Sequence, residues 1–275
     1  MNNELWFGTE KSYYDLQAAL ARSPEMTQLR LGESDEDETT MPVELIDGVA
    51  IISINGPLIS TATWFSQWLG IPSYDGIKET LSELAGETKV RAILLDYDTP
   101  GGQAKGCKSC ANFIREYAEN VKPVISYTAG SAASAGMWLY SAGLAHFMDE
   151  DAQVGSVGAI MVHSEYTEMD RQMGVTRKVF RSAPYKALGT PFEKLSKEAE
   201  AEITEELDFL HQQFVSGISE LSDIPEATVA KKIATGKMFR SDKALSLGLT
   251  DQVLSFGEVI AKLSEQYRAK PSSKR

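Results

Sequence analysis

The segment VRAILLDYDTPGG, residues 90–102, joins an apolar run to a glycine-rich turn. Apolar residues at consecutive positions are typical of a strand that is buried on both faces of a sheet. Helical patterns lie on both sides of the segment, at 74–89 and 103–120, and a second apolar run follows at 123–130. Because strands that alternate with helices form parallel βαβ units, the sequence predicts an α/β fold.

The remaining segments set the predicted domain limits. SYYDLQAALARS predicts a helix and LGESDEDETTMP an acidic linker, so we assign residues 1–40 to an N-terminal helical segment with its linker. Residues 41–258 form the main domain, which begins with a strand pair or bent strand at 43–58 and includes a long charged helix at about 197–221. Residues 259–275 are predicted to be a polar C-terminal tail.

Composition excludes several kinds of partner. The chain has 275 residues and a net charge of -12, from 27 Lys+Arg and 39 Asp+Glu, which argues against binding of nucleic acid phosphates. No apolar run approaches the roughly 18 residues of a membrane helix, and the first residues lack the pattern of a signal peptide. We therefore expect a cytoplasmic protein without membrane insertion.

The two cysteines, Cys107 and Cys110, form a C-x-x-C pair. Such a pair is found in redox couples and in half of a zinc site, but no second ligand pair is present. The surrounding pattern is helical, and residues at i and i+3 share one face of a helix. We expect both to be small buried core residues, and we predict no metal and no cofactor.

Two glycine-rich turns contain candidate catalytic groups. In GSAASAGMW, residues 130–138, Ser134 is either a helix N-cap or a nucleophile whose small neighbours admit a substrate carbonyl. In DTPGG, Gly101 and Gly102 either form a tight turn or point backbone N–H groups into a cleft. From the residues alone, both pairs of alternatives stay open.

A serine nucleophile needs a base, and the sequence offers few. His146 and His163 flank strand-like segments without an aspartate at an informative spacing, and His211 lies in a highly charged helix where we expect it to be solvated, although a triad assembled in space remains open. Lys186 in SAPYKALGTPF is the other candidate, since its neighbours are mostly apolar or uncharged. Burial favours the neutral amine of a lysine, which is the form that accepts a proton.

Five motifs in order resemble the signal peptide peptidase A family of serine peptidases, especially its short, single-repeat members, which include capsid-processing proteases of tailed phages. The likeness extends from about Val49 to Phe256. Met137 intrudes before Trp138 in the nucleophile motif, and Ala183 stands where many relatives have glycine. The matching segments are LLDYDTPGG, GSAASAGMW, Gly155 to Gly158, SAPYKALGTPF, and the spaced set Gly236, Phe239, Ala244, Gly248, Leu249 and Asp251.

The resemblance implies a crotonase-like (Clp protease-like) fold of repeated ββα/βαβ units. It implies a Ser/Lys dyad of Ser134 and Lys186, with Ser134 rather than Ser131 as the nucleophile. The N–H groups of Gly101 or Gly102 and of Ala135 are expected to bind the oxyanion, and Ser156 to orient Lys186 by a hydrogen bond.

The resemblance further implies polypeptide substrates, a homo-oligomer and, for a phage member, capsid, portal or scaffold proteins as substrates in the host cytoplasm or prohead. The membrane anchor of the members that degrade signal peptides is not expected here. Two alternatives remain: a soluble cytoplasmic peptide-degrading peptidase of the same family, and a non-catalytic or acyl-CoA-binding crotonase-fold protein.

Overall fold

A computed structural model of the chain describes residues 6–8 and 40–268. The described strands are β1 (Trp6–Gly8), β2 (Val43–Ile46), β3 (Val49–Asn55), β4 (Ala92–Asp98), β5 (Gly101–Gln103), β6 (Val124–Thr128), β7 (Ser131–Ala133), β8 (His146–Met148), β9 (Gln153–Gly155), β10 (Met238–Arg240) and β11 (Gln252–Val253). The described helices are α1 (Trp64–Trp68), α2 (Tyr74–Leu84), α3 (Cys107–Asn120), α4 (Ala135–Tyr140), α5 (Thr167–Gln172), α6 (Lys197–Ser222), α7 (Glu226–Thr228), which continues as a π-helical turn (Val229–Ile233), α8 (Ser241–Leu247) and α9 (Phe256–Gln266).

A six-stranded sheet in the order β11-β8-β6-β4-β3-β2 forms the centre of the fold. All its neighbouring strands run parallel except β2, which forms an antiparallel hairpin with β3 through Asp47 and Gly48. Helix α2 connects β3 to β4, and α3 connects β4 to β6. The mixed α/β architecture with a mainly parallel sheet is therefore confirmed.

Both faces of the central sheet are covered, which explains the unbroken apolar runs of its strands. On β4, Ile93, Leu95 and Tyr97 enter the core that contains α2, α3 and α4, while Ala92 and Leu94 enter a second core under α9. Successive side chains of a strand point to opposite faces, so a strand buried on both sides has no polar alternation.

Helix α9 corrects the predicted C-terminal boundary. Val259, Ile260 and Leu263 are buried in the second core, so the folded body continues beyond residue 258 to Gln266. Their i, i+1, i+4 spacing is an amphipathic signal within a polar segment. The predicted helix SYYDLQAALARS lies outside the described residues.

Two further segments have a structure that their composition does not indicate. The segment SAASAGMWLYSAG has a helix-like composition but begins as the strand β7, and helix α4 starts only at Ala135. KVFRSA, with strand-like composition, has no regular structure and its residues are largely exposed.

Cys107 and Cys110 are buried, unpaired residues of α3 that face the main core. Their thiols contact the carbonyl oxygens of Ala135 at 3.8 Å and Tyr74 at 3.6 Å. Burial raises the pKa of Cys107, and it raises that of Cys110 to about 12. Both thiols are therefore protonated at neutral pH, as expected of core residues rather than of reactive or metal-binding ones.

Helix α6 packs closely on α4, the helix that follows Ser134. The rings of Phe214 and Trp138 stack with centroids 4.7 Å apart. Gly217, three residues beyond Phe214, allows this approach, because a Cβ atom there would overlap the Trp138 indole.

We predict that Gly217→Ala destabilises the protein by about 1–3 kcal/mol, because the added methyl forces Trp138 out of its packed position. Gly257→Ala on α9 is the matched control, since a Cβ atom at Gly257 meets no atom within 4 Å. The control is expected to lose no stability. Urea unfolding followed by circular dichroism measures both, and equal stability of the two variants would contradict the packing described here.

Candidate active site

Ser134 connects β7 to α4 in a conformation that L-amino acids rarely adopt. Its φ is 51° and its ψ is -117°. Its N–H donates a hydrogen bond of 2.7 Å to the carbonyl of Gly155, and its own carbonyl accepts from Trp138 N–H at 3.1 Å. Such backbone strain persists only where surrounding contacts impose it, and it is concentrated at functional sites.

The Ser134 side chain does not cap α4, which removes the purely structural alternative for this residue. Its Oγ instead donates to the carbonyl of Gly158 over 3.4 Å, a long hydrogen bond. Ser134 is 0% exposed. The hydroxyl is thus placed next to the Gly155–Gly158 turn.

The DTPGG turn lies beside the strand that leads to Ser134. Thr99 N–H donates to Ser131 O at 2.8 Å, and Thr99 O accepts from Ala133 N–H at 3.0 Å. Gly101 has a φ of 104°, which favours glycine, and a Cβ atom at Gly102 would overlap the Leu58 carbonyl. The predicted oxyanion donors therefore lie on a strand fixed to β7, and Ala135 immediately follows the serine.

The C-terminal motif contacts the Gly155–Gly158 turn through its backbone. Ser156 has a φ of 55°, and its N–H donates to Lys237 O at 2.7 Å. Strand β10, next to Lys237, pairs antiparallel with β9. The structure thus brings four of the five sequence motifs together around Ser134.

Lys186, the predicted base, is not brought to Ser134. It is an exposed residue of an irregular segment, and its ammonium makes no hydrogen bond or ion pair with any described residue. The expected hydrogen bond from Ser156 to Lys186 is likewise not formed. Within one chain, the environment of Lys186 is therefore aqueous rather than the buried one that its neighbours suggested.

Residues 161–196, which we call the exposed arm, carry Lys186. Phe180 is 90% exposed and Tyr185 is 65% exposed. Arg177 fixes part of the arm through an ion pair of 2.6 Å with the buried carboxylate of Asp170. Among the described residues, Phe180 and Tyr185 are the two most exposed large apolar side chains.

An open cavity of about 900 Å³ lies next to the Gly155–Gly158 turn. Ser156, Gly158, His163 and His211 are among its lining residues, and so is Gly8 of the N-terminal strand. Both ring nitrogens of His163 are buried and have no hydrogen-bond partner among the described residues. No local sequence pattern indicates this cavity, because its lining residues come from distant segments.

His146 has a structural role that sequence spacing did not reveal. Its Nδ1 lies 3.4 Å from the Asp251 carboxylate, and its Nε2 lies 3.2 Å from Ser141 O. The hydrogen bond from His146 lowers the pKa of Asp251. With both ring nitrogens occupied, His146 ties β8 to the segment before β11 rather than acting as a base.

The described residues contain no group of three or more histidine, cysteine, aspartate or glutamate side chains suited to a metal ion. In the same part of the chain, every helix is too short or too polar to cross a membrane.

We predict that Ser134→Gly is more stable than Ser134→Ala by about 1 kcal/mol, because glycine adopts a positive φ without strain. At Ser131, in the neighbouring strand β7, the order is expected to reverse, since glycine weakens a strand. Thermal unfolding of the four variants measures the difference. A Ser134→Ala variant as stable as Ser134→Gly would show that the turn is not strained.

Comparison with known proteins agrees with this geometry. Residues 116–270, more than half of the chain, match Peptidase family S49, and this range contains both Ser134 and Lys186. The sequence is 27% identical over 241 residues to capsid assembly protease C of Escherichia phage lambda, which covers 88% of this chain and 54% of the phage protein.

Two other relatives are a phage protein and a cellular protein. The chain is 27% identical over 220 residues to head-tail preconnector protein GP5 of Enterobacteria phage P21, covering 80% of this chain and 43% of that protein. It is 26% identical over 176 residues to putative signal peptide peptidase SppA of Enterococcus faecium, covering 63% and 50%. The chain spans about half the length of these relatives. With the family match and the assembled motifs, the resemblance is confirmed, and the chain belongs to peptidase family S49.

Proposed function

We propose that this chain is a serine endopeptidase with Ser134 as its nucleophile and Lys186 as its general base. The conformation of Ser134 is the observation that carries the proposal. A serine held at a φ of 51° destabilises the fold, its hydroxyl caps no helix, and strain of this kind is concentrated at functional sites. The crotonase-like arrangement of the α/β fold is part of the same proposal.

The proposed reaction begins when neutral Lys186 takes the proton from Ser134 Oγ as this oxygen attacks the scissile carbonyl carbon. The negative charge that develops on the carbonyl oxygen is stabilised by N–H groups of Gly101 or Gly102 and of Ala135. Collapse of the tetrahedral intermediate breaks the C–N bond, and the lysine ammonium returns the proton to the leaving amine. Water, deprotonated by the same lysine, then hydrolyses the acyl-enzyme.

Lys186 can act as a base only where it is buried, because an exposed lysine is protonated at neutral pH. We propose that a neighbouring copy of the chain buries the exposed arm and that Lys186 of one copy serves Ser134 of the next. Two observations support this assignment: the side chains of Phe180 and Tyr185 near Lys186 are exposed, and Lys186 itself is exposed and makes no side-chain hydrogen bond or ion pair with any described residue.

For substrates, we propose proteins of phage head assembly, such as portal, scaffold or minor capsid proteins. Similarity to a capsid assembly protease and to a head-tail preconnector protein of two phages supports this class. An assembly with enclosed active sites would restrict cleavage to extended segments that can enter it. A peptidase that degrades peptides generally would instead cut unrelated unfolded proteins at comparable rates.

We expect Ser134→Ala and Lys186→Ala each to lower cleavage of unfolded portal or scaffold proteins by about 10³-fold or more. Lys186→Arg is expected to be equally inactive, because a guanidinium does not release its proton. His163→Ala is the control and should retain activity, since His163, which has no hydrogen-bond partner among the described residues, is the other available base beside the site. Mass spectrometry of the products measures cleavage. Activity that survives Lys186→Ala but is lost in His163→Ala would assign the base to the histidine.

Co-expression of Ser134→Ala with Lys186→Ala chains tests the proposed exchange of Lys186 between copies. Each inactive chain supplies the group that the other lacks, so randomly mixed assemblies should recover about a quarter of wild-type activity. Light scattering of the same sample reports its oligomeric state. Mixed oligomers without activity would show that each chain provides its own base.

A further inference from the structure

Strand β1 lies between two segments of the candidate active site. On one side it pairs antiparallel with β5, so that Trp6 is opposite Gln103 and Gly8 is opposite Gly101. On the other side Trp6 N–H donates to Ile160 O at 3.2 Å, and Ile160 N–H donates to Trp6 O at 3.0 Å. Three residues from the N-terminal part of the chain are thus held by backbone contacts on both sides.

The alternation of hydrogen bonds in an extended chain determines which neighbour the backbone groups of Phe7 face. Because both backbone groups of Trp6 face Ile160, those of Phe7 face Gly102. Strand β5 agrees, since Gly101 O and Gln103 N–H bond the backbone of Leu58 and leave Gly102 directed at β1. A candidate oxyanion donor therefore faces the N-terminal strand.

The last residue of β1 lies at the cavity beside the turn that Ser134 contacts. The strand runs from Gln103 to Gly101, and Gly8 at its end lines the same cavity as Gly158. The carbonyl of Gly158 accepts the hydrogen bond from Ser134 Oγ. With this strand in place, Ser134, Gly101 and Gly102 are all buried.

The Trp6 side chain fixes the strand. It is 1% exposed and packs against Ile59, Ile71 and Ile160. Main-chain pairing with a strand edge gives affinity for any extended peptide, whereas a pocket for one side chain gives selectivity. The N-terminal strand has both features, since its main chain pairs with β5 and its Trp6 side chain fills an apolar pocket.

We propose, on the basis of the proposed peptidase function, that Trp6–Gly8 occupies the groove in which a substrate strand binds and competes with it. Ile59, Ile71 and Ile160 then form a subsite for an aromatic or large apolar side chain, two residues before the substrate residue that faces Gly101. A substrate must displace the chain's own strand, so the full-length protein has a lower apparent affinity than its empty groove.

Peptide binding in the Ser134→Ala background tests this without requiring turnover. The probe is a fluorescein-labelled peptide of residues 3–10, NELWFGTE, and its affinity is measured by fluorescence anisotropy. Adding Trp6→Ala to the full-length chain should tighten binding about tenfold or more, because the groove is vacated. Adding Trp64→Ala, which removes a half-exposed tryptophan of α1, should change nothing.

A second peptide and a second variant complete the test. The probe with alanine in place of its tryptophan should bind at least about tenfold more weakly, since it cannot fill the isoleucine subsite. Phe7→Pro removes the N–H that faces Gly102 and leaves the isoleucine subsite unchanged. Because it weakens the pairing of the chain's own strand with β5, it should also tighten binding of the original probe. Thermal unfolding verifies that each variant is folded.

Equal affinity of the probe for all four proteins would overturn the inference. In that case, cleavage that depends on Ser134 would still leave the peptidase proposal standing. Tight binding to the Trp6→Ala protein, together with no Ser134-dependent cleavage of any substrate, would support the groove and overturn the catalytic proposal instead.

Discussion

The hydrogen bond between the Ser134 amide and the Gly155 carbonyl, 2.7 Å long, joins the serine turn to the turn that surrounds it. Ser134 can hold a φ of 51° only because β7 and β9 pair on one side and Thr99 bonds both ends of β7 on the other. The small residues around the serine follow from this crowding. At Gly136, for example, a Cβ atom would overlap the Thr99 side chain. The conformation of Ser134 therefore depends on contacts among several turns.

Close packing also connects the helix that follows Ser134 to the long helix α6. Helix α4 begins directly after Ser134, and Trp138 on this helix stacks on Phe214 of α6. Gly217 permits that contact, so helix α6 packs closely on α4. In our proposals, the exposed arm and the N-terminal strand change their contacts, and the backbone around Ser134 stays as it is.

Sequence patterns predicted those features that depend on neighbours along the chain. The buried strands and the glycine turns around Ser134 are local, since each apolar run or glycine pair carries its own conformational preference. Helix α9 was missed because its three buried residues lie in a segment of polar composition, although their spacing was visible. The His146–Asp251 contact, the cavity with His163 and the pairing of Trp6–Gly8 with β5 join distant segments, and no local pattern specifies them. The exposure of Lys186 also differs from expectation, because apolar neighbours in sequence do not bury a side chain.

We propose above that Ser134 is the nucleophile, and a fluorophosphonate reacts with such a serine. The full-length protein is treated with the reagent, digested with a protease and mapped by mass spectrometry. We expect a single adduct on the peptide that contains Ser134, and no adduct in the Ser134→Ala variant. An adduct on another serine, or labelling that is unchanged in Ser134→Ala, would contradict this proposal.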